Sequence, residues 1–190
     1  MDRKQFRRRR RGHSIAELGP ALFLVLLIMV LPMACLASLG IRYTLLFYAV
    51  RQAAREAAKS TQFQTNQSAL QISAINRARQ VMALFANSAG GNGLKVNPTD
   101  VHCFVDIINI SSGVASSPGM DTRIPSGTTI NPATNVYNIR VQVDGTVRPL
   151  FEASGDSGGW FGVGVPGLSR PFPVRMVSAA MAERPDGLDK

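Results

Sequence analysis

Cysteine, tryptophan and histidine are nearly missing from this chain, with two, one and two copies in 190 residues. Cys35 sits in a long apolar run and Cys103 far beyond it, so no disulfide within the chain is expected to staple the folded part. Cys103 reads as a small buried apolar residue, with a bridge between chains as the other use. The chain also has no CxxC pair, no HExxH helix and no phosphate-binding glycine loop, which removes the commonest zinc and nucleotide sites. Acids are scarce, 12 against 21 bases, for a formal net charge of +9. That excess would suggest nucleic acid, but it is local. Met1 to Gly12 holds seven bases and one acid, and without it 14 bases face 11 acids, a net charge of +3. No basic patch with interleaved aromatics follows, so no nucleic-acid partner is expected.

Charge of either sign is absent from Leu18 to Ile41. At 1.5 Å per residue such a helix reaches about 36 Å, enough to cross a hydrocarbon core of about 30 Å with some tilt. Pro20, Pro32 and Gly40 interrupt the run, which membrane helices tolerate when neighbours re-satisfy the freed carbonyls. Arg3, Lys4 and Arg7 to Arg11 precede it and only Arg42 follows closely, so the N-terminus is expected inside and the rest of the chain outside. Glu17 does not suit a plain anchor. An acid at the mouth of an apolar helix is costly and is usually paired or functional; the plainer reading is headgroup depth beside its own arginines.

Gly12-His13-Ser14-Ile15-Ala16-Glu17 followed by an apolar run resembles the processing site of type IV prepilins. Tyr43 to Lys59, with its AAREAA stretch, is similar to the segment after the span in the TadE-like pseudopilins of tight-adherence (Flp-type) pili. Phe172 to Glu183 resembles that family's closing strand. The resemblance implies a cut after Gly12 by a prepilin-type peptidase, leaving His13 first and Glu17 as the fifth residue of the mature chain. It further implies that Glu17 meets the amine of His13 on a neighbouring subunit. Other pilins or pseudopilins and the pilus assembly platform would then be partners, with no cofactor and no catalytic residue. The location implied is the bacterial cytoplasmic membrane, crossed once, or a surface pilus. Two other export chemistries stay open: a signal-peptidase cut near Ala37, and a lipoprotein cut before Cys35, where Pro32 stands at a position that prefers leucine.

The expected fold is α+β: a leader (1–12), a transmembrane helix continuing into an amphipathic stalk (13–59), and a small extracytoplasmic domain (60–190) with a second amphipathic helix and about three antiparallel strands. Leu46, Val50, Ala53 and Ala57 recur like a coiled-coil seam, and Ala49, Ala53 and Ala57 form a ridge of small residues. That ridge suits a neighbouring helix or the chain's own domain. Tyr43, Phe47 and Tyr48 suit a membrane interface, where Arg42 can snorkel. Ser68 to Gln71 reads as a capping box for a helix with Ile72, Ile75, Ala78, Met82 and Phe85 on its apolar face. Strands are expected at Asp100 to Ile110, Val136 to Asp144 and Phe172 to Met181, the second with Tyr137, Ile139, Val141 and Val143 inward. Ser111 to Asn135 and Ala153 to Gly167 read as loops, and Arg184 to Lys190 as a frayed tail.

Two patterns brush against chemistry. Gly155-Asp156-Ser157-Gly158-Gly159 matches the nucleophile loop of chymotrypsin-like proteases, with His102 as the available base. The domain is too short for two β-barrels and Trp160 replaces the family's proline, so a glycine loop is the simpler reading. Asp100, His102 and Asp106 share one strand face, a conceivable oxygen and nitrogen metal set. Cys103, on the other face, cannot join it, and a solvated strand face is simpler.

Overall fold

The computed structural model describes residues 18–64, 73–86, 92–150 and 170–189. The fold is α+β. One helix, α1, runs from Leu18 to Ala58. A second, α2 (Ala74–Phe85), returns alongside it, and five antiparallel strands follow. These are β1 (Leu94–Lys95), β2 (Val101–Asn109), β3 (Ala115–Ser116), β4 (Asn135–Val147) and β5 (Phe172–Met181). β4 is the central strand. β5 pairs along one of its edges, and β2 and then β1 along the other, with β3 outside β2.

Strand alternation sets the inner face. Val101, Cys103 and Val105 from β2, Tyr137, Ile139, Val141 and Val143 from β4, and Val174 and Met176 from β5 are all buried. Against them packs the upper half of α1, through Leu46, Ala49, Val50, Ala53, Ala54 and Ala57. The alanine ridge is therefore spent inside the chain's own domain, where small side chains let α2 and the sheet approach closely. It leaves no seam for a neighbouring helix. The top of α1 is closed by the domain as well: Ser60 Oγ donates to the Ala57 carbonyl (2.6 Å) and the Glu183 N–H to the Ala58 carbonyl (3.0 Å).

Three expectations need correction. The described second helix begins at Ala74, capped by Ser73, whose side chain accepts the Asn76 N–H at 3.3 Å; Ser68 to Ile72 lie outside the described residues. Ser73 is extended and bridges Gln62, whose carbonyl accepts the Ala74 N–H, so the chain turns into the helix there. The stretch from Ser111 to Asn135 contains β3 and carries Ile124 into the core. The tail is not frayed. Leu188 is 1 % exposed and its carbonyl accepts the Ile124 N–H, while the Gly187 carbonyl accepts the Phe63 N–H. A Cβ at Gly187 would collide with the Thr61 carbonyl, so only glycine allows that approach.

Candidate functional site

α1 has two halves of opposite character. Its most apolar window has a mean hydropathy of 2.8 and is 6 % buried, while from Leu46 upward one face of the helix is buried in the domain. Among the described residues this is the one helix long and apolar enough to cross a membrane. Leu22, Phe23, Ile28, Met29, Met33, Leu36 and Ile41 all stand exposed, as the expected span of Leu18 to Ile41 requires. Pro32 is accommodated by a π turn over Leu26–Val30, where the Leu31 N–H reaches back to the Leu26 carbonyl. Proline has no N–H and its ring crowds the carbonyl four residues back, and the wider turn relieves both. Gly12, His13 and Glu17 lie outside the described residues, as does the loop from Gly155 to Gly159.

Where the two halves meet, Arg42 turns toward the domain. Its Nη1 donates to the carbonyls of Arg148 and of Pro149, the latter at 2.9 Å. The Arg148 N–H in turn donates to the Gly93 carbonyl at 2.8 Å. Hydrogen bonds from a charged donor are worth about 1.5–3 kcal/mol each, so Arg42 pins the end of β4 to the helix instead of simply snorkelling. Tyr48 meets Phe85 edge-on with ring centroids 5.9 Å apart, fixing the end of α2 to the same level. Leu150 then continues past Arg42 and lines an apolar groove with Leu27, Val30, Leu31 and Ala34.

The second cluster lies on β2. Asp121, at φ 52°, accepts the Cys103 N–H through Oδ1 (2.8 Å) and donates its own N–H to the Cys103 carbonyl (2.8 Å). It thereby covers a stretch of strand edge that would otherwise be open to pairing. Its Oδ2 lies 2.9 Å from His102 Nδ1 and 3.9 Å from Arg79. The Cys103 thiol is fully buried, and burial, reinforced by the Asp121 charge, pushes it up to about 12. A thiol so placed is inert and cannot reach another chain. The three residues of the conceivable metal set have separate partners. Asp100 takes hydrogen bonds from Asn97 and Thr99, His102 takes Asp121, and Asp106 holds Arg140 in a two-point pair at 2.7 and 3.0 Å. Among the described residues no group of three His, Cys, Asp or Glu side chains is close enough to hold a metal ion.

No family model, no curated protein and no solved structure matches the chain.

Proposed function

We propose that this protein is a minor pseudopilin or pilus-assembly protein of a tight-adherence pilus, cut by a prepilin-type peptidase after Gly12. In this reading α1 crosses the cytoplasmic membrane once with its N-terminus inside. Glu17 docks against a neighbouring subunit within the apolar helix bundle, and the α+β domain sits outside. The single observation that carries it is the continuity of α1: one helix whose lower half is apolar and exposed and whose upper half is built into the core of the domain. A subunit that is handed from a membrane to a filament needs that rigid connection, because a flexible linker would transmit no orientation. A cut near Ala37 would instead remove most of the exposed half and leave Leu39, which packs on the core, at a new chain end.

Mass spectrometry of the mature protein tests the reading. It should find His13 at the N-terminus, and Gly12→Leu should block cleavage because the peptidase pocket would meet a side chain where it had none. A mature N-terminus at Cys35 or Ser38 would leave a lipoprotein or a secreted domain with no pilus role.

A further inference from the structure

The domain is uneven along the axis of α1. Near Arg42 it gathers the end of α2, the chain at Asn92 to Lys95, the end of β4 through Leu150, and the start of β5. Val147 faces Leu94 on one side and Phe172 on the other, and Gly93 bonds Arg148, so these segments form one end. Every charged residue in them is a base: Arg42, Lys95, Arg148 and Arg170. Lys95 and Arg170 are exposed. The same end exposes three apolar side chains, Leu84 (85 %), Leu150 (44 %) and Phe172 (39 %). Elsewhere on the domain acids and bases alternate, as in Asp106 with Arg140 and Asp144 with Arg175.

Leu150 goes further than the rest. It lines the groove on α1 with Ala34, Leu31, Val30 and Leu27. Ala34 is eight positions before Arg42, which places it about 12 Å along the helix on the side of the span. We propose that this end of the domain is a lipid-docking surface, with Leu150 inserted in the outer leaflet beside the span and Lys95 and Arg170 set against headgroup phosphates. The inference rests on the reading of α1 as a membrane span. Its partner follows from continuity: α1 emerges from the bilayer at Arg42, so whatever surrounds Arg42 already lies at the headgroup plane. Exposed bases complement phosphate, and exposed apolar side chains on the same surface are what an interfacial contact uses. Tethering by α1 makes even a weak contact effective.

Full-length protein carrying Cys35→Ala and Cys103→Ala is reconstituted in phosphatidylcholine vesicles with and without phosphatidylglycerol. An environment-sensitive fluorophore is placed at Leu150→Cys, and in separate samples at Leu26→Cys within the span and at Val114→Cys on the far hairpin. The Leu150 label should be quenched by acyl-chain spin-labelled lipid and not by aqueous iodide, like the Leu26 label and unlike the Val114 label. In phosphatidylglycerol, Lys95→Gln and Arg170→Gln should each shift the ratio of lipid-facing to water-facing label about fivefold toward water. Iodide quenching at Leu150 with lipid quenching at Leu26 overturns the docking surface and leaves the span intact. Shielding of Leu150 from both quenchers would mean that protein covers it, and overturns the proposal too. Iodide quenching at Leu26 would remove the span itself and the docking surface with it.

Discussion

The guanidinium of Arg42 fills the space that a side chain on Gly93 would need, and Gly93 holds φ at +78°, where other residues are strained. Gly93→Ala is therefore expected to destabilise the protein in two ways. The positive φ costs about 1–2 kcal/mol for a residue with a Cβ, and the methyl displaces Arg42 from the carbonyls of Arg148 and Pro149. Adding Arg42→Ala removes the second penalty and leaves the first. Thermal denaturation of the two single variants and the double in detergent should show non-additive losses. Additive losses would mean that Arg42 and Gly93 do not share this space.

Leu188 and Gly187 give the second expectation. Leu188→Ala should cost about 2–5 kcal/mol, the range for emptying a buried leucine, although it lies only two positions before Lys190. Gly187→Ala should also destabilise, because the Thr61 carbonyl occupies the position of the new methyl. A frayed tail would tolerate both changes within about 0.5 kcal/mol. Chemical denaturation midpoints decide between the two.

Those residues also mark where local sequence stops being informative. β4 was legible nearly to its ends, since alternation of apolar and polar side chains is a local record of one buried face, and β5 spans the expected Phe172 to Met181. α1 was legible from the want of charge and from its apolar spacing. The start of α2 was not, because Ser68 and Ser73 both offer a capping hydroxyl, and what marks Ser73 is its bridge to Gln62. The destiny of the alanine ridge was equally undecidable, since small residues suit a foreign helix and a home sheet alike. Arg42 bonds carbonyls 106 and 107 positions away, and no periodicity reports such a pair. Leu188 is one apolar side chain in a polar tail, too little to signal burial. The edge cover by Asp121 left only a faint trace, an aspartate two residues after Gly119 in a loop rich in turn residues.

Cys103 gives a dependence on pH. Its thiol rises from an ordinary value near 9.0 to about 12 in the fold, through burial first and the charge of Asp121 second. A thiol whose folded value is raised adds stability that is fully present below the unfolded value and is lost as pH climbs toward the folded one. Stability should therefore fall between about pH 9 and 12, and Cys103→Ala should flatten that limb while lowering the plateau by about 1 kcal/mol or more for the lost packing. At pH 8 a maleimide should leave Cys103 unmodified until denaturant opens the core. Rapid labelling of the native protein would contradict the burial.

Glu17 separates a pilus subunit from an anchor. Glu17→Gln is expected to leave insertion and the cut after Gly12 intact and to impair pilus assembly. The acid precedes Leu18 to Ile41 directly and stands five residues beyond the proposed cleavage point, where an anchor gains nothing from a charge. Neutralising it makes the apolar end cheaper to place in the bilayer, so a plain anchor should insert as well or better. A subunit docking through this charge would leave its neighbour's amine unpaired at a desolvated site, a loss on the order of 3–5 kcal/mol. The alanine ridge cannot make up for it, because it is already buried within the chain's own domain. Surface piliation and co-purification with pilus components, compared at equal protein levels, read the outcome. If the glutamine variant assembles like the unaltered protein, Glu17 is a solvated headgroup residue, and α1 serves only to hold the domain at the membrane.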